Sequence, residues 1–185
     1  NDFKKPDYLY INNGNGTFTD KLTSYFRHIS QSSMGLDITD INNDGLEDIF
    51  ILDMAFEDPD RQKRLFTQHI NYDKFMLSIQ MGLFWQYNHN TLQINNGNGS
   101  FSEASYYAGL AETDWSWGPL VADFDNDGWK DIYVANGYKR DVNDCDYRGY
   151  FIDSIKNLIA AGKQVDMMKW FSQVPSVRVK NCFYH

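Results

Sequence analysis

A chain of 185 residues with 42% hydrophobic and 16% aromatic content can bury a real core, which excludes a disordered segment. Lys and Arg number 17 against 25 Asp and Glu, and the net charge of −8 argues against nucleic acid as a partner, because phosphate neutralisation needs a basic surplus. No apolar run approaches the roughly 20 residues a membrane helix requires, and no signal peptide is visible.

In chain order, residues 8–12 and 17–20 flank an Asn/Gly turn, a strong short-range hairpin signal. Residues 33–39 read as a strand leading into the acidic loop Asp40-Ile41-Asn42-Asn43-Asp44-Gly45-Leu46-Glu47-Asp48. Residues 49–53 leave it, and the unbroken apolar run from Ile49 to Leu52 predicts a strand covered on both faces. Residues 54–90 do not alternate. Within them, 61–70 and 73–81 place Leu65, Phe66, His69 and Ile70, then Phe75, Met76 and Ile79, at helical spacing. Strands follow over 91–95, 100–103 and 116–122, then a second acidic loop from Asp123 to Asp131, then a strand over 132–136. Phe151, Ile152, Ile155, Leu158 and Ile159 form another helical stripe, stopped at Gly162. A short helix over 164–172 ends before Pro175, and residues 177–184 alternate as a last strand.

The second half of this order repeats the first. Ile11-Asn12-Asn13-Gly14-Asn15-Gly16-Thr17-Phe18 returns as Ile94-Asn95-Asn96-Gly97-Asn98-Gly99-Ser100-Phe101, and both acidic loops share the same offset of 83 positions. Residues 9–51 match 92–134 without a gap, with Leu9/Leu92, Gly35/Gly118 and Asp48/Asp131 among the identities. A constant offset across unrelated motifs marks a copied structural unit. Half a unit, a full unit and half a unit follow one another. Since single repeats cannot bury their faces alone, the segment reads as part of a longer stack.

The loop spacing is that of a calcium site, which needs about six to eight hard oxygens from alternate positions. The first loop offers Asp40, Asn42, Asp44, the carbonyl of Leu46 and Asp48; the second offers Asp123, Asp125, Asp127, the carbonyl of Trp129 and Asp131. Gly45 and Gly128 permit the sharp turn. An EF-hand would need a bidentate acid at position 12 between two helices, yet that position is Ile51 or Val134, each in a strand. Four carboxylates against three and an amide predict a tighter second site. Two bound Ca²⁺ would reduce the net charge to −4.

Other chemistry is thinly signalled. Cys145 and Cys182 have no zinc spacing, and a disulfide or two buried thiols are both compatible with the sequence. His28, His69, His89 and His185 show no metal spacing and no obvious carboxylate partner. No nucleophile motif is present, and the clustered acids of a glycosidase couple are already assigned to the loops. The sequons Asn15-Gly16-Thr17 and Asn98-Gly99-Ser100 fall in hairpin turns, where backbone geometry explains Asn-Gly.

The loops with their following strands, Asp-Ile-Asn-Asn-Asp-Gly-Leu-Glu-Asp-Ile-Phe-Ile and Asp-Phe-Asp-Asn-Asp-Gly-Trp-Lys-Asp-Ile-Tyr-Val, resemble FG-GAP/VCBS repeats, the calcium-binding blades of integrin-α-like β-propellers. The hairpin Asn-Asn-Gly-Asn-Gly-(Thr/Ser)-Phe is similar to that of bacterial VCBS members, and residues 113–118 with the helical insertions to surface or secreted proteins carrying an ASPIC/UnbV region. The resemblance implies a mainly β fold of propeller blades with helical insertions, two Ca²⁺ sites, and an extracellular, cell-surface or periplasmic setting. It divides this single propeller segment into the end of one blade (1–32), a full blade (33–103, insertion 54–90) and the start of the next (104–185, insertion 147–173). Residues 1–7 keep Asp7 in the ninth place but lack the Asp-Gly pair of a third complete site.

The function expected on this basis is a non-catalytic scaffold that binds a protein or glycan alongside the remaining blades of a parent propeller. The alternative is a polysaccharide-active enzyme with a cleft formed by the helical insertions. It would need a titratable pair outside the loops converging in a pocket. Trp115 and Trp117, two apart on a strand and so on one side, either stack on a sugar ring or pack between blades.

Overall fold

The computed structural model describes residues 5–65 and 72–185. The chain opens with an antiparallel hairpin, β1 (Tyr10–Asn12) and β2 (Phe18–Asp20). A single turn of helix, α1 (Leu22–Tyr25), and the two-residue strand β3 (Ile29–Ser30) follow. Strands β4 (Gly35–Thr39) and β5 (Asp48–Leu52) flank the first acidic loop, and the short β6 (Met54–Ala55) comes directly after. Helices α2 (Pro59–Leu65) and α3 (Tyr72–Gln80) occupy the first insertion, and β7 (Gln86–Tyr87) leaves it. Next come β8 (Thr91–Asn95), β9 (Phe101–Glu103), β10 (Asp114–Ala122) and β11 (Asp131–Asn136). The second insertion holds α4 (Cys145–Ala160) and α5 (Met167–Ser172), and β12 (Cys182–Tyr184) closes the order.

Strands β4, β5, β8 and β9 lie side by side in that order, each antiparallel to the next, as a complete four-stranded meander. The second sheet runs β12-β11-β10-β6, so the strand that continues β5 crosses over to pair with β10. The fold is mainly β, and among the described residues no sheet closes on itself. The first insertion sits between β5 and β8, and the second between β11 and β12.

Alternation along β5 explains its apolar run. Phe50 and Leu52 join Leu92, Leu110, Val121, Ile132 and Val134 in the core between the two large sheets. Ile49 and Ile51 face the other way and meet Leu22, Phe26 and Ile29. Every residue of β5 is buried, as expected of a strand covered on both faces. The sheets approach closely where β4 meets β10. A Cβ on Gly35 would overlap the carbonyl oxygen of Trp117 and lie 3.2 Å from the Cα of Gly118, its own counterpart in the repeat. Nearby, the amide of Val121 donates to Asp37 Oδ2 at 2.8 Å and ties β10 to β4.

Helix α2 covers the first part of the stretch 61–70 expected to be helical; Phe66, His69 and Ile70 lie outside the described residues. In α4, Asp144 caps the start by accepting from the amide of Tyr147, and Gly162, at φ 66°, ends the run. Its expected apolar stripe is only partly covered, since Ile152 and Ile159 are exposed. Cys145 and Cys182 are both free and half-buried. The elements not anticipated are α1, β3, β6 and β7, each too short for a periodic pattern to register. Among the described residues no helix is long and apolar enough to cross a membrane.

Candidate metal centres

The two acidic loops adopt the same backbone path, enforced by the same hydrogen bonds. In the first, Asp40 Oδ1 and Asn42 Oδ1 accept from the amide of Asp44 at 3.0 and 3.1 Å, and Asp40 Oδ2 accepts from Gly45 at 2.8 Å. In the second, Asp123 Oδ1 and Asp125 Oδ1 accept from Asp127, both at 3.1 Å, and Asp123 Oδ2 accepts from Gly128 at 2.9 Å. Asp44 Oδ1 and Asp127 Oδ1 then accept from the amides of Leu46 and Trp129, each at 2.8 Å. Positive φ falls at the same places, Asn43 (60°) with Gly45 (86°) and Asn126 (62°) with Gly128 (93°). Asn is the side-chain-bearing residue that enters this region most readily, and Gly enters it without strain.

The ninth position seals each loop from below. Asp48 and Asp131 are buried at the start of β5 and β11, and their Oδ2 atoms accept from Ile41 (3.0 Å) and Phe124 (2.9 Å) across the loop. Asp48 Oδ1 also accepts from the amide of Asn95 in the neighbouring strand. Ligand atoms of Asp123, Asp125 and Asp127 lie within 4.8 Å of one another, close enough to surround a single cation. These donors are all hard oxygens, the set Ca²⁺ prefers. In the first loop the neutral Asn42 replaces an acid and donates through Nδ2 to Asp44 Oδ2 at 3.0 Å, which relieves part of the repulsion there.

Two features of the loops were not anticipated. Asn43 Nδ2 donates to the carbonyl oxygen of Gly128 at 2.8 Å, so the loops touch. His185 enters the second loop, with Nδ1 2.8 Å from Asp131 Oδ1 and Nε2 3.7 Å from Asp127 Oδ2. Its hydrogen bond to Asp131 and the charges of Asp125, Asp131 and Asp127 raise the imidazole above its usual value. The amide of Phe124 and the His185 ring hold Asp131 below the ordinary carboxylate range. The expectation that no histidine has a carboxylate partner therefore fails at His185. It fails also at His28, whose Nε2 lies 3.9 Å from Glu103 Oε2. Folding brings these groups together from distant parts of the chain, so sequence spacing carries no sign of them. His69 lies outside the described residues.

The paired tryptophans occupy different environments. Trp115 is buried, stacked on Tyr138 at 4.1 Å between ring centroids and packed on Phe56 and Leu65. Trp117 is half exposed and donates through Nε1 to the carbonyl of Gly137. The β10–β11 register shifts between Ser116 and Gly118, interrupting the regular alternation between them.

The insertions meet through a buried cation. Arg61 of α2 is 5% exposed and forks onto two acids: Nε and Nη2 reach Asp114 at 3.0 and 3.2 Å, while Nη1 and Nη2 reach Asp141 at 3.3 and 3.4 Å. Bidentate geometry on both sides satisfies a charge that would otherwise be costly to bury.

A family model for the FG-GAP-like repeat matches residues 2–51 and 82–134, which include both acidic loops and both Asn/Gly hairpins. No curated protein and no solved structure matches the chain. With more than half its length covered by that model in two copies, and with a four-stranded antiparallel meander built from the matched residues, the chain belongs to the FG-GAP-like repeat family.

Proposed function

We propose that this chain is a calcium-binding β-propeller segment of a secreted or cell-surface bacterial protein, a non-catalytic scaffold for binding a protein or glycan. The observation that carries this reading is the hydrogen-bond frame shared by the two loops, with the ligand atoms of Asp123, Asp125 and Asp127 brought within 4.8 Å of one another in the second. Bound calcium would neutralise converging carboxylates. Asp40, Asn42, Asp44 and Asp48 would hold one ion with the carbonyl of Leu46. Asp123, Asp125, Asp127 and Asp131 would hold the other with the carbonyl of Trp129.

On this reading the protein's own groups do the shaping. The amides of Gly45 and Gly128 aim the first acid of each loop, and the ninth-position acids brace the strands that leave. The blade boundaries at 33–103 and 104–185 belong to the same proposal, as do the remaining blades that would cover the exposed Leu36 and Ile38 of β4. The test is a thermal melt in calcium and in EGTA, with a large calcium-dependent gain expected. A melting curve indifferent to the chelator would remove the metal from the account. A glycan array probed with the wild type and Trp117→Ala tests the ligand class.

One observation favours the enzyme alternative enough to keep it as a second reading. Outside the loops, His28, His89 and Glu103 line a cavity of about 390 Å³ together with Tyr87, Asn88 and Tyr106. The cleft within the second insertion, lined by Tyr147, Phe151, Met167 and Phe171, is by contrast mostly apolar. Turnover of a polysaccharide that is lost in Glu103→Gln would establish the second reading over the first.

A further inference from the structure

The residues around that cavity have a more specific arrangement than a generic cleft. In the meander, the acidic loop and the Asn/Gly hairpin occupy one end of the sheet. His89, which leads into β8, and Glu103, which ends β9, occupy the other. His28, from the connection between α1 and β3, completes the group. One ligand atom from each of the three lies within 4.8 Å of the others.

Each side chain is prepared in a way that an apolar contact would not require. His89 is 4% exposed, and its Nδ1 lies 2.5 Å from the carbonyl oxygen of Asn90. A carbonyl only accepts, so Nδ1 carries the proton and the lone pair is left on Nε2. Glu103 is oriented by two backbone amides, those of Leu92 (3.2 Å) and Ser105 (2.8 Å), both bound to Oε1. This leaves Oε2 toward His28. The Nε2 of His28 is buried and makes no hydrogen bond. Ligating histidines and carboxylates are typically held by such carbonyl and amide partners on their far side.

We infer that His28, His89 and Glu103 form a binding site for a divalent transition-metal ion, with zinc as the fitting member of the class. Two imidazoles are borderline nitrogen donors that suit zinc over calcium, one carboxylate is compatible with either, and a three-residue set leaves a coordination position open. That position opens onto the cavity, whose mouth carries the exposed rings of Tyr87 and Tyr106. The ion would join three chain segments, at the end of the sheet opposite the acidic loops.

The test is equilibrium dialysis of the whole chain against zinc in excess calcium, with bound metal counted by mass spectrometry. One zinc per chain is expected in the wild type, and in Asp127→Ala and His185→Ala, which remove donors from the second acidic loop. His28→Gln and Glu103→Gln are expected to weaken zinc by at least about a hundredfold, the upper end of what outer-shell partners alone contribute. The Gln at 103 keeps an oxygen for the amides of Leu92 and Ser105, and circular dichroism identifies which variants remain folded. Cobalt in place of zinc should give the strong visible bands of a four-coordinate nitrogen and oxygen site. The inference is overturned by an absence of zinc in the wild type, by zinc retained in a folded Glu103→Gln, or by zinc lost in His185→Ala.

Discussion

The two repeat units share their loops almost atom for atom and part company elsewhere. Bonds from backbone amides to the side-chain oxygens of the first, third, fifth and ninth loop positions recur at an offset of 83 with nearly the same lengths. Asp53 and its counterpart Asn136 diverge completely. Asp53 accepts from Ser30 Oγ, from the amides of Gln31, Ser32 and Met54, and from Asn88 Nδ2. Asn136 instead donates through Nδ2 to the carbonyls of Thr113 and Lys180 while accepting from Ser116. An acid suits a nest of donors, and an amide suits mixed partners. Beyond the matched stretch, Arg61 and Arg64 of the first insertion pair with Asp141 and Asp144, which lie at the entry to α4. Repetition has been retained where a cation would demand it and given up where the units pack against each other.

The strongest challenge to this contrast is removal of calcium. With calcium about a hundredfold above its dissociation constant, each site should contribute about 2.7 kcal/mol, so EGTA should cause a large drop in melting temperature. Asp44→Ala and Asp127→Ala should each abolish part of the gain. Next in size is Arg61→Met, which leaves the buried Asp141 and the partly buried Asp114 without their cation and should cost about 3–5 kcal/mol in urea unfolding. A loss below about 1 kcal/mol, the range of exposed ion pairs, would mean the insertions do not depend on each other.

Exchanging Asp53→Asn and Asn136→Asp separately sharpens the contrast further. Each leaves at least one buried group unpaired, and about 1–3 kcal/mol is expected per group. Equal tolerance of both exchanges would show that the donor and acceptor sorting is incidental. Calorimetry on the two loop variants should then show the second site to be tighter, because it has one more carboxylate.

The smallest effect expected is a pH dependence. Burial raises the Asp53 carboxyl above its ordinary value, outweighing the pull of its donors. Folding therefore favours the protonated acid. The stabilisation is complete below that value and is lost as the pH rises through the higher folded one. The stability difference between wild type and Asp53→Asn should accordingly shrink from mildly acidic to neutral pH.

Much of this was legible in the sequence because it is local. The loops, the hairpins and the run at Ile49–Leu52 each write their geometry into neighbouring residues, where positive φ and strand alternation constrain composition. The end of α4 was also readable, from Gly162, whereas its start at Cys145 lies six residues before the apolar stripe. What the sequence did not reveal depends on distant contacts. His28 and Glu103 are 75 positions apart, and His185 meets Asp131 across 54. The two-residue strands β3 and β7 pair in parallel with no pattern of their own. Trp115 and Trp117 look equivalent by spacing, yet the irregular register between Ser116 and Gly118 interrupts that equivalence.

The hydrogen bond from Asn43 to the carbonyl of Gly128 has a consequence for how such loops respond to metal. Whatever stiffens one loop restrains its neighbour, so occupancy of successive sheets should rise together. A rim assembled from these contacts would tighten as a linked hoop when calcium is plentiful and slacken as one when it is withdrawn.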